Sequence, residues 1–151
     1  MSGPNVVLLV AAICLVPAAG ALAAVDAALA RVSAARVEEL VREHRRGAAA
    51  LHRVVADRAR HTNLLLLLRV AAELTATVLV TVVATSLWGR DWPVVTGSVL
   101  VMVLVSYVLI GVGPRTTGRQ HVYRVALIGA PVVLLLSRFF VQGITAGAIK
   151  G

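Results

Sequence analysis

Lysine is nearly absent from this chain: of its 15 basic residues only Lys150 is not arginine. Cysteine occurs once, as Cys14 in an apolar stretch, so no internal disulfide can form. Aromatic residues make up 4% of the sequence and Asp and Glu together number 7. The arginines lie between apolar segments, with no interleaved aromatics and no base-reading motif. A net charge of +8 and a pI near 11.5 therefore do not point to nucleic acid. His44, His52, His61 and His121 lack metal-ligand spacing and read as surface or interface residues. Neither GVG at 111–113 nor the terminal GAIKG makes a phosphate-binding loop, and no nucleophile–base pair stands out. The expectation is a protein that is not an enzyme and has no organic cofactor.

Aliphatic residues are what the chain has in quantity. It is 59% hydrophobic with a mean hydropathy of +0.89, and its 151 residues suit one compact domain. Long apolar runs make it a membrane protein. The central run is Leu64 to Trp88. Its 25 residues, at about 1.5 Å each, reach roughly 37 Å, enough to cross a bilayer. Arg69 and Glu73 sit one turn apart in it, and Thr77, Thr81 and Thr85 continue the i, i+4 step. An ionisable residue at membrane depth costs at least about 2.5 kcal/mol, so this row should face protein or a water-filled cavity.

The first apolar run, 6–29, resembles a signal peptide in its h-region. Residues 1–5 carry no Lys or Arg, however, and the run continues to Leu29. A retained span with a kink at Pro17 is the better reading. Residues 31–61 hold eight Arg and four acids. The stripes Val37, Leu40, Val41 and Leu51, Val54, Val55 predict two short amphipathic helices broken at Gly47, with Glu38 and Arg42 spaced to pair. GRDWP at 89–93 predicts a tight turn between Trp88 and Trp92, before a third span over 94–112. Gly and Pro end that span. The apolar segment 121–148, interrupted by Pro131 and Arg138, offers either a fourth span or an interfacial helix, and the interruptions favour a juxtamembrane or half-inserted helix. The expected fold is thus an all-α membrane protein: three transmembrane helices (6–29, 64–88, 94–112), two cytoplasmic amphipathic helices in 31–61, and a C-terminal juxtamembrane helix. The segment 31–61 and the loop after 113, with Arg115, Arg119 and Arg124, are both basic, and both fall in the cytoplasm if the N-terminus is outside. Membrane lipid is the expected surrounding.

The order of these features resembles the transmembrane domain of the CNNM/CorC (HlyC/CorC, cyclin M) family of magnesium and cobalt transport proteins. Four stretches carry the resemblance: ALAAVDAAL at 21–29, ARVEELVREHRRGAAALHRVV at 35–55, RVAAELTATVLVT at 69–81 and PRTTGRQ at 114–120. Together they cover most of the chain. The last resembles a Pro-Lys-Thr signature, here Pro114, Arg115 and Thr116. There are departures. Asp26 stands where the family tends to have Glu, Ala23 and Val25 where it has Ser, and no Asn lies near 72–77. The family's cytoplasmic CBS pair and C-terminal module would follow the membrane domain. The chain ends at Gly151, so a truncated form, a fragment or a natural short form is expected. The resemblance implies divalent-cation transport or sensing, with Mg²⁺ foremost and Co²⁺ second. It also implies a homodimer through the membrane helices, or a heteromer with a longer homologue.

Mg²⁺ prefers oxygen ligands in octahedral geometry. The candidate ligands are Asp26, Glu73, Thr77 and Ser106, with Thr81 further along. Arg69 would repel the ion if it lined the site. It can instead snorkel and join an intramembrane ion pair with Asp26 or Glu73. A second reading stands beside the ion site: an Asp26–Arg69–Glu73 cluster that only holds helices together. The corresponding alternative function is a non-transporting membrane scaffold or partner subunit.

Overall fold

A computed structural model describes residues 3–113, 116 and 120–149, and among these all regular secondary structure is helical. Helix α1 spans Gly3–Leu29 and continues through Pro17. The short helices α2 (Ala34–Arg42) and α3 (Ala48–Ala56) follow, then α4 (Arg58–Trp88). Helix α5 (Trp92–Val105) passes directly into a π-helix over Ser106–Val112. Helix α6 covers Val122–Ile149. Contacts divide the chain into two units. The first is Met1–Ala24 with Leu66–Thr117; the second is Val25–Leu65 with Gly118–Gly151.

The first unit packs around small residues. Val16, Ala19 and Ala23 of α1 meet Ala76 of α4 and Met102 of α5, with Ala72, Val80 and Val105 at the margin. Alanine at these positions lets helix backbones approach closely, which is how helices associate where water supplies no driving force. Asn5 Nδ2 donates to Ser86 Oγ at 2.7 Å, joining the start of α1 to the end of α4. The GRDWP turn forms as expected. Gly89 has φ 94°, Asp91 precedes α5, and its carbonyl accepts from the amides of Val94 and Val95. Trp88 and Trp92 are 71% and 80% exposed.

In the second unit the amphipathic pattern is realised. Val37 and Leu40 of α2 are buried, as are Ala48, Leu51 and Val54 of α3. The break between them has two parts. Helix α2 ends in a Schellman motif: Arg45 N–H donates to the Leu40 carbonyl and His44 N–H to that of Val41, both at 3.1 Å. His44 takes the left-handed position, at φ 52°. Gly47, at φ 83°, then starts α3. Its α-carbon abuts α6: a β-carbon there would lie 2.4 Å from the Leu127 carbonyl oxygen. Pro131, four residues after Leu127, has no N–H to offer that carbonyl. Arg58 donates to the Val32 carbonyl at 2.6 Å. His61 is buried rather than at the surface, its Nδ1 2.8 Å from the Asp57 carbonyl oxygen. The expected Glu38–Arg42 pair is replaced by Arg36–Glu39 and Arg45–Glu43. Glu39 raises the pKa of Arg36 through its hydrogen bond and its charge.

The expectation for 121–148 needs correction. Among the described residues, four helices are long and apolar enough to cross a membrane: Gly3–Leu29, Arg58–Trp88, Trp92–Leu109 and Val122–Gly147. The division into three spans and an interrupted segment therefore does not follow from helix length. Pro131 does not end α6, because α3 packs across the turn it weakens and Ala126, Gly129, Ala130 and Val133 form a continuous buried stripe. Gly129 has a packing reason: a β-carbon there would sit 2.5 Å from Val25 Cγ2. Arg138 is exposed and does not interrupt the helix.

Candidate functional site

Helix α4 carries the polar row of the first unit. Thr75, Thr77, Thr81 and Thr85 each donate a side-chain hydrogen bond to the carbonyl four residues earlier, at 2.7, 2.9, 2.8 and 3.0 Å. This back-bonding satisfies the hydroxyl hydrogen within the helix. It leaves the oxygen lone pairs pointing outward as acceptors. A row of such hydroxyls presents oxygen without an unsatisfied donor, a chemistry suited to water or a hard cation. Thr77, Thr81, Thr85, Ser86 and Arg90 line an open groove of about 630 Å³, with Val95 and Val99 of α5 opposite.

Glu73 and Thr77 lie one turn apart on α4 by their spacing, and the Thr77 hydroxyl donates to the backbone carbonyl of Glu73. Both are half-buried. Ser106, the third, is buried in the same unit, at the first residue of the π-helix that continues α5. A π-turn inside a membrane-type helix redirects side chains and carbonyls, and such turns recur at functional sites. No residue pattern marked it in advance. Ser98 was not singled out either; it is buried one helix over and donates to the Val94 carbonyl at 2.7 Å. Asp26 is half-buried in the second unit. Arg69 is half-buried in the first. The ion pairs among the described residues are Arg36–Glu39, Arg45–Glu43 and Arg60–Asp57, all carried by the basic segment 31–61. Thr116 donates to the Val112 carbonyl at 2.8 Å, while Pro114 and Arg115 lie outside the described residues.

Among the described residues, no three His, Cys, Asp or Glu side chains gather in a group that could hold a metal. A cation here would rest on one carboxylate, hydroxyl oxygens, carbonyls and retained water. Mg²⁺ keeps several waters in most of its sites, so this donor set fits it better than it fits softer metals.

Comparison with known proteins gives a consistent picture. The UPF0053 protein Mb2387c of Mycobacterium bovis and the UPF0053 protein Rv2366c of Mycobacterium tuberculosis are each 45% identical to the chain over 129 residues, or 85% of its length. The chain spans 29% of the length of these curated relatives. The model of the cyclin M transmembrane N-terminal domain matches residues 9–144. With its apolar helices and a match over nearly its whole length, the chain belongs to the CNNM family as a transmembrane domain.

Proposed function

We propose that this domain transports or senses a divalent cation, Mg²⁺ first and Co²⁺ second, and that it is not an enzyme. The observation that carries the reading is the groove beside α4 lined by Thr77, Thr81 and Thr85, with Glu73 one helical turn before Thr77. Glu73 supplies charge, Thr77 and Ser106 supply neutral oxygen, and the ion retains water at its other positions. Asp26, in the second unit, is proposed as a cation ligand separately from these residues and is tested on its own. Helices α1, α4 and α5 span the membrane, with the N-terminus outside and the basic segment 31–61 in the cytoplasm. Helix α6 lies along the inner face. The basic amphipathic helix α3 packs on its N-terminal half, which supports a surface placement. A homodimer through the membrane helices follows from the resemblance to the family.

The test is Mg²⁺ titration calorimetry on the detergent-solubilised chain, with Glu73→Ala and Asp26→Ala beside it. Binding that disappears in Glu73→Ala, with helix content preserved, is the expected result. Equal binding in the parent and in both variants would overturn the site. A second reading, a membrane scaffold or partner subunit for a longer homologue, is favoured by the lack of a carboxylate cluster among the described residues. Absence of binding in the folded parent chain would select it.

A further inference from the structure

A second groove, independent of the cation reading, lies on the hairpin of α2 and α3. It is open, about 410 Å³ in volume, and lined by Glu38, Val41, Arg42, Ala49, His52 and Arg53. That volume falls in the range of small-molecule sites. Arg42 and Arg53 take no part in the ion pairs formed among the described residues, although Glu38 stands one turn before Arg42. Both therefore line the groove with their guanidinium donors uncommitted to a carboxylate. Val41 and Ala49 give the same groove an apolar side. The hairpin follows α1 after residues 30–33 and runs into α4 at Asp57, so it is tethered to the ends of two helices long enough to cross a membrane.

An occupant must combine an anionic group for two arginines, a hydrogen-bond donor for Glu38, and carbon for Val41 and Ala49. We propose that the groove binds the headgroup of an anionic phospholipid. Arg42 and Arg53 hold the phosphodiester, whose oxygens match the guanidinium fork in pairs. His52 donates a further hydrogen bond. Glu38 accepts from headgroup hydroxyls and so disfavours a bare phosphate. Val41 and Ala49 meet the glycerol and the first acyl carbons. The site adds a geometric preference to the general attraction of basic residues for an anionic leaflet.

The test titrates the full chain, in neutral detergent, with dihexanoylphosphatidylglycerol. Dihexanoylphosphatidylcholine and glycerol phosphate are run in parallel. Phosphatidylglycerol should bind, and Arg42→Gln/Arg53→Gln should weaken it on the order of tenfold or more, since each basic contact contributes roughly fivefold. Arg138→Gln, exposed on α6 and outside both grooves, should bind as the parent does. Glutamine keeps helix propensity at these exposed positions, and circular dichroism checks the fold. Arg42→Lys and Arg53→Lys, which keep charge and lose the fork, should fall between. Unchanged binding in the double variant would overturn the site, as would equal affinity for phosphatidylcholine. Equal affinity for glycerol phosphate would assign the groove to a soluble phosphate instead.

Discussion

Two positive-φ residues three positions apart, His44 and Gly47, set how α2 and α3 fold back on each other, and they have opposite tolerances. His44 occupies a left-handed position that costs a non-glycine residue about 1 kcal/mol. It faces no packing demand for a side chain, being exposed. His44→Gly should therefore raise stability by about 1 kcal/mol, read as a higher midpoint in thermal unfolding in detergent. Gly47 cannot take even a methyl group. Alanine would add left-handed strain to a β-carbon only 2.4 Å from the Leu127 carbonyl oxygen, a backbone atom that cannot move aside as a side chain would. Gly47→Ala should lower stability by about 2 kcal/mol or more in the same measurement, and should loosen α3 from α6. A midpoint within a degree of the parent would show that this approach is not as close as the structure has it.

At the scale of the helix, α4 separates two roles that its threonines share chemically. Thr75 and Thr77 make the same bond to the preceding turn. Thr75 is exposed, while Thr77 lines the groove beside Glu73. Thr77→Val and Thr75→Val should each change stability by no more than about 0.5 kcal/mol, because the lost bond is local. Only Thr77→Val should weaken Mg²⁺ binding, severalfold in a calorimetric titration. Equal effects from the two would make the row a helix-stabilising feature and nothing more. Helix α6 shows the complementary lesson. Pro131 removes one internal hydrogen bond, yet the stripe Ala126–Ala130–Val133 stays buried on both sides of it. Packing of this kind outweighs the roughly 3 kcal/mol that an interior proline costs a helix.

For the whole molecule, the placement of α6 decides the topology. Four helices satisfy the length requirement, but the proposed arrangement has three crossings. Single cysteines introduced at Arg90 and Gly147, in a Cys14→Ser background, should separate the two. Arg90→Cys should react with a membrane-impermeant thiol reagent from outside. Gly147→Cys should react only after the membrane is opened. Reaction of both from outside would mean that α6 crosses and that the chain ends on the outer side.

The sequence by itself determined the class of protein and most of the element order. Apolar runs longer than a bilayer is thick, a basic linker patterned at 3.6 residues, and a Gly–Pro-bounded turn at 89–93 are local signals that do not depend on packing. The α2 and α3 stripes and the Gly47 break could be read for the same reason. Tertiary structure alone decided three things. It carried α6 through Pro131, because Gly47 and α3 cover the weakened turn. It gathered Arg42, His52 and Arg53 into one groove, because two helices fold back on each other and no single helix face shows that juxtaposition. It also placed a π-helix at Ser106, where no periodicity marks the change. Charge pairing followed the same rule. Glu38 and Arg42 have the right spacing, but spacing only makes a pair available, and the surrounding hairpin left Arg42 in the groove.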